Sequence, residues 1–240
     1  MSSKAANAPF VPRRGRRLAG ERRAAREALY REHIFQVAER IFADAGYENA
    51  RMQEVAAAAG VSLGTLYSSF EGKAGLYRAI LITRGQQMFE RVQAAIRQLA
   101  GEAESIPKLL RLMEAHLRFF MEHPPYLRMQ LLEGHVWYDA AARPSREEQQ
   151  LWTQGLGLLQ AVFEWGARAN LLVPDDPADQ ARMLLAVQQT RLANWVLGGM
   201  RQAHDEVVAA AQADFVRMFC RPGVAARFLN ATGAALTRPA

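Results

Sequence analysis

Cysteine is almost missing from this chain: Cys220 is the only one in 240 residues. No disulfide can close within it, which suits a reducing compartment, and a cytoplasmic location is expected. Long apolar runs are missing too. None reaches the roughly 18 residues of a membrane span, so no membrane partner is expected. The first thirty residues hold no apolar stretch, so no secretory signal is expected. No segment alternates convincingly with period two, and no internal repeat is present. Without strand periodicity, the apolar residues fall into helical stripes, and the expected fold class is all-α.

Charge is unevenly placed. The formal net charge is +6, and residues 1–30 account for all of it. Lys4, Arg13, Arg14, Arg16, Arg17, Arg22, Arg23 and Arg26 stand there against Glu21 and Glu27. Such a tail favours polyanions, nucleic acid or an anionic membrane surface; the plain alternative is a solvated tail that aids solubility. It lacks bulky apolar residues at helical spacing, which counts against a membrane surface. Pro9, Pro12, Gly15 and Gly20 mark residues 1–20 as disordered when free, with helical composition from about Glu21. Residues 1–30 are therefore expected to form a basic, disordered arm.

The stretch GVSLG, residues 60–64, has the G-x-S-x-G form of a hydrolase nucleophile elbow. An elbow needs a buried strand before it. Here the preceding residues are MQEVAAAA, with Met52, Val55, Ala56 and Ala59 on one helical face. Gly60 sits where a helix C-terminal glycine belongs, and Ser62 is a good N-cap for the next helix. Ser62 is thus expected in a corner between two helices, and no catalytic residue is expected. With Ile34, Val37, Ala38, Ile41, Phe42 and Ala45 as a first stripe ending at Gly46, residues 31–70 read as a helix-turn-helix unit. Leu66 and Phe70 face inward, while Leu63, Thr65, Tyr67 and Ser68 project outward. Hydroxyls of Ser62, Thr65 and Tyr67 are expected to donate to phosphate oxygens. Gly64 allows close backbone approach, and Lys73 opens the next helix beside a site that favours phosphate.

The residues V-A-x-x-A-G-V-S-x-G-T-L-Y-x-x-F-x-x-K-x-x-L, from Val55 to Leu76, stand in unbroken register. Together with AGY at 45–47 they resemble the DNA-binding domain of the TetR family of bacterial regulators. The resemblance implies an all-helical homodimer on double-stranded DNA: a DNA-reading head at 31–77, and a helical domain at 78–240 that binds a small-molecule effector and pairs the subunits. It also implies that Thr65, Tyr67 and Lys73 contact phosphate or base. Two departures stand out. The family commonly opens the second helix with Thr or Ser, where this chain has Ala50-Arg51; Arg51 can instead reach a phosphate. Leu63, Ser68 and Ser69 replace the family's usual basic or aromatic residues. The recognition helix is therefore poor in strong base readers: Leu63 can touch a thymine methyl, and the serines take either bonding role. The arm, with Arg13, Arg14, Arg16 and Arg17, is expected to supply the missing affinity, entering a narrow minor groove.

Beyond residue 78 the helices expected are 106–122, 125–138, 145–169 with Ser145 and Glu148 as a capping box, 177–197 capped by Asp176, and 204–220. No motif for chemistry appears there, and neither cofactor nor metal is expected; His116, His123 and His135 lack converging cysteines or carboxylates. Trp137, Tyr138 and the other aromatics read mainly as core or dimer contacts. A pocket needs apolar walls with a few polar groups, and Met113, His116, Phe120, Trp152, Phe163, Gln188, Arg191 and Asn194 offer that mix. Arg191 and His116 suggest tolerance for an acidic or polar ligand. Gly155 and Gly157, inside a helical run, suggest a kink or a close contact. In the resembled family the last long helical pair meets its copy, which offers Leu184, Leu185, Leu192, Trp195, Val208, Ala211, Phe215 and Met218 for the dimer interface. The function expected is a repressor released from a pseudo-palindromic operator by a ligand. The alternative is a ligand-independent regulator or activator whose C-terminal domain only dimerises.

Overall fold

Breaks at glycine and proline divide the chain into helices. The computed structural model describes residues 14–103, 105–132 and 146–229. Ten helices are seen there: α1 (Arg14–Asn49), α2 (Met52–Ala58), α3 (Leu63–Ser69), α4 (Gly72–Gln98), α5 (Ile106–Glu122), α6 (Pro124–Leu132), α7 (Arg146–Arg168), α8 (Pro177–Leu197), α9 (His204–Phe219) and α10 (Pro222–Phe228). Among the described residues there is no strand; an isolated antiparallel bridge joins Leu172 to Cys220. The all-α expectation holds. Ser145, His135, Trp137 and Tyr138 lie outside the described residues, as does the side chain of Glu148.

Local chemistry explains the breaks. Gly46 takes φ +76°, a left-handed backbone that a side chain would strain, and it separates the main run of α1 from a last turn at Tyr47–Asn49. Gly60 does the same, at φ +68°, between α2 and α3. At α8 the Asp176 carboxylate accepts from the backbone N–H of Ala178 and Asp179, and Pro177 fills the first helical position.

The start of α1 departs from the expectation. It is helical from Arg14, inside the stretch expected to be disordered. Alanine and arginine are strong helix formers, and Arg23 pairs with Glu27 one turn on at 2.8 Å. Every residue from Gly20 to Arg31 is exposed, and Ile34 is the first buried residue among those described. From Gly20 to Arg31, roughly 18 Å of helix therefore stands clear of the core, at about 1.5 Å per residue.

Two apolar clusters fill the interior. One joins the α1–α4 head to α5, α6 and one end of the α8–α9 hairpin, through Phe42, Leu66, Leu76, Leu117, Tyr126 and Trp195. The other fills the far end, around Leu110, Phe163, Leu184, Phe215 and Phe219. The expected division between residues 77 and 78 falls inside α4. Packing demands a glycine at Gly166, where a Cβ would meet Leu172 Cδ1 at 2.3 Å. Gly155 and Gly157 stand in open space, so of the kink or close contact expected of them the close contact is absent.

Candidate nucleic-acid interface and ligand cleft

Ser62 caps α3. Its Oγ accepts from the backbone N–H of Thr65 at 3.0 Å and lies 2.7 Å from Thr65 Oγ1. It sits between two helices, as expected, and its hydroxyl is engaged in holding the turn. Leu66 is fully buried and Phe70 nearly so, which anchors one side of α3 and turns the other outward. Thr65 is exposed, and Tyr67 is 50% exposed, high for so large a ring. A Cβ on Gly64 would meet only Ser62 Oγ, at 3.8 Å, so the helix backbone is open to approach on that side. Arg51 is exposed at the N-cap of α2 and makes no side-chain cap bond.

Four expected DNA contacts are placed differently. Leu63 is half-buried and packs on the head core, because the short α3 must cover the α2 corner. Ser68 and Ser69 both donate to the Thr65 carbonyl, at 2.8 and 3.0 Å, folding their hydroxyls back onto their own helix. Lys73 is half-buried: its Nζ donates to the carbonyls of Tyr47 and Glu48 at 2.7 and 2.9 Å and lies 4.5 Å from the centre of the Tyr47 ring. Its charge thus caps the C-terminal end of α1, where carbonyls are left over. Lys73→Met is expected to lower stability by about 1–3 kcal/mol. Urea unfolding of the variant checks this; an unchanged midpoint would mean that Lys73 serves DNA alone.

Arg31 was not anticipated from the sequence. Its guanidinium lies over the Phe35 ring at 5.1 Å and the Phe70 ring at 5.0 Å, tying the base of the projecting α1 to the end of α3. Its spacing of four from Phe35 was the available signal. Arg14, Arg16 and Arg17 belong to the helical arm, while Arg13 lies outside the described residues. An α-helix about 10–12 Å across does not enter a minor groove about 6 Å wide, so in this conformation the helical arm suits phosphate rows instead.

A cleft of about 350 Å³, mouth included, opens between α5, α6 and α8. His116 and Phe120 line it from α5, Leu127, Gln130 and Leu131 from α6, and Leu185, Gln189 and Leu192 from α8. Of the residues expected to form a pocket, His116 and Phe120 face the cleft, and Gln188 supports it by bonding His116 Nδ1 at 2.7 Å. The others do not line it. Met113 and Phe163 are buried in the far core, Trp152 is half-buried on α7, and Asn194 is exposed. Arg191 is clamped to Asp214 by two bonds, at 2.6 and 2.9 Å, which removes its part in the expectation of an acidic ligand. Burial lowers the His116 pKa against the smaller upward pull of Gln188. His123 is bonded to the Phe119 carbonyl at 2.7 Å. Burial also pushes the Cys220 thiol up to about 12, so it is poorly reactive.

The residues offered for the dimer interface divide sharply. Leu184, Leu192, Trp195, Val208, Ala211 and Phe215 are buried within one subunit, and Leu185 lines the cleft. Met218 is exposed. The helical stripe was legible, but the buried side of α8 and α9 faces its own subunit. The exposed side carries Met183 and Leu197 instead, Leu197 being 84% exposed.

Residues 34–80 match the model of the bacterial regulatory proteins, tetR family. Over 203 residues the chain is 25% identical to an uncharacterized HTH-type transcriptional regulator of Mycobacterium tuberculosis, covering 85% of this chain and 91% of that protein. The structure is similar to the TetR family transcriptional regulator PfmR from Thermus thermophilus, with a TM-score of 0.60 and 25% identity over 77% of this chain and 97% of that one. It also shares its fold with the transcriptional regulator FadR from Bacillus subtilis, solved in complex with stearoyl-CoA. The TM-score there is 0.61 at 14% identity, covering 75% and 95% of the two chains.

Proposed function

The chain belongs to the TetR family of DNA-binding transcriptional regulators, and on that premise we propose that it is a two-fold dimer released from a pseudo-palindromic operator by a small molecule. The observation that carries this reading is the outward face of α3: an open backbone at Gly64, with Thr65 and Tyr67 exposed beside it. That face is fixed from behind by Leu66 and Phe70, so it can enter a major groove without rearranging. Arg51 and the helical arm supply phosphate contacts on either side. Pairing through the exposed apolar residues Met183, Leu197 and Met218 sets two such faces roughly 34–36 Å apart, or a multiple of it.

Release runs through α6. Leu127, Gln130 and Leu131 face the cleft, while Arg128 on the same helix donates to Asp44 Oδ1 at 2.8 Å and to the Ala43 carbonyl at 3.0 Å on α1. A ligand that shifts α6 therefore moves the end of α1 that Lys73 holds, and with it the head. A coupling of about 1–3 kcal/mol changes operator affinity roughly 5–150-fold.

Selection from a random duplex library near physiological salt tests the reading. The expected product is a pseudo-palindrome. Retention of DNA without any motif, lost as salt rises, would leave only a basic arm that adheres to DNA.

A further inference from the structure

The ligand-release reading leaves the effector unidentified. The cleft between α5, α6 and α8 has apolar walls, among them Phe120 and Leu131, and three polar groups: His116, Gln130 and Gln189. None of the three is an acid, a lysine or an arginine.

Every acidic, lysine and arginine side chain on the three lining helices is engaged elsewhere. On α5, Lys108 donates to the Glu102 carbonyl, Arg111 pairs with Glu102, Glu114 and Arg118 pair with each other, and Glu122 pairs with Arg91. Arg118 also reaches Asp205. On α6, Arg128 is held by Asp44 and the Ala43 carbonyl. On α8, Asp179 pairs with Arg182, and Arg191 is clamped to Asp214. Among the described residues a charged group entering the cleft would find no free counter-charge, and burying a charge unpaired is costly.

The polar groups point to one chemistry. Gln188 Oε1 can only accept, so His116 Nδ1 carries the proton in the 2.7 Å bond between them. Desolvation lowers the pKa of half-buried His116 and favours its neutral form; with the proton on Nδ1, its Nε2 is an acceptor. Gln130 and Gln189 add amides that both donate and accept. An acceptor beside amphoteric amides suits a ligand hydroxyl, which does both. The volume of about 350 Å³ includes the open mouth, so the enclosed part is much smaller and a ligand would lie partly in the mouth.

We infer that the cleft takes an uncharged, compact apolar molecule bearing a hydroxyl, an aliphatic alcohol or a phenol in class, and excludes carboxylates and phosphates. This deepens the ligand-release reading and rests on it. The stearoyl-CoA of the Bacillus subtilis FadR is of the excluded kind.

The test is calorimetric titration of the full chain, without DNA, with 1-octanol and with octanoate. The two share a chain length and differ in charge. Octanol is expected to bind, and octanoate to bind at least ~100-fold more weakly. Leu185→Trp and, separately, Gln189→Trp fill the cleft from half-buried positions and are expected to abolish octanol binding while circular dichroism stays helical. Octanoate binding as tightly as octanol overturns the inference. So does octanol binding that survives both substitutions, or no octanol binding up to its solubility. Because no DNA is present, each of these results leaves the operator-binding reading standing. Failure of the library selection, in turn, leaves the cleft chemistry standing.

Discussion

Glu39→Ala is expected to destabilise the protein by about 3–5 kcal/mol, through the charge it strands. Arg84 on α4 is 2% exposed and Glu39 on α1 is 3% exposed. Arg84 Nε donates to Glu39 Oε1 at 2.6 Å, Nη2 to Glu32 Oε1 at 2.7 Å, and Nη1 to Gln87 Oε1 at 2.8 Å. Burial pushes the Glu39 carboxyl above its ordinary range against the downward pull of Arg84, which shows how costly the site is for a charge. Without Glu39 the buried guanidinium keeps only Glu32, which is half-exposed to solvent, and Gln87. The double variant Glu39→Leu with Arg84→Met removes both charges and should recover most of the loss, because matched apolar groups replace a buried pair at little cost. Urea unfolding followed by circular dichroism decides the matter. A single variant within about 1 kcal/mol of the parent would show that water reaches Arg84.

Deleting residues 1–26 is expected to act in the opposite way, sparing stability and weakening DNA binding. Gly20 to Arg31 are exposed, and the deletion keeps Arg31 over its two rings and Glu32 on Arg84. The removed stretch carries eight basic residues against one acidic one, Glu21. If about four of them neutralise phosphates, the log–log salt slope flattens by roughly 3–4 per subunit. Affinity at physiological salt then falls on the order of 100-fold or more. Operator titrations at several salt concentrations, run beside a melting curve, give both quantities. An unchanged slope would mean that the arm serves something other than DNA.

These two variants mark where reading the sequence succeeds and where it stops. The arm's charge is a property of consecutive residues and was legible at once. The Glu39–Arg84 pair joins residues 45 positions apart, and no local pattern announces it. The proposed DNA face shows both cases within twenty residues. Ser62, Gly64 and Leu66 fall where the periodicity places them, because capping and helical phase act over three or four residues. Lys73 reads as free because its sequence neighbours offer no competitor, whereas Ser68 and Ser69 have one within a single helical turn that their outward phase conceals. In the structure Lys73 finds the carbonyls of Tyr47 and Glu48, and the serines find that of Thr65.

By itself the sequence determined most of the helices, their boundaries at Gly46, Gly60 and Pro177, the head register from Val55 to Leu76, and the charge of the basic arm, though not that the arm is helical from Arg14. All of these rest on interactions within one or two helical turns. Tertiary structure decided which faces are inner. Leu184, Leu192, Phe215 and Met218 belong to amphipathic stripes of the same helical pair, yet only Met218 is left exposed. It also decided that Arg191 belongs to Asp214 and that Leu127, Gln130 and Gln189 meet at a cleft. A helical stripe states that a residue is apolar and which side of its helix it occupies. Which neighbour covers that side depends on how the helices cross, and that follows from packing the whole chain at once.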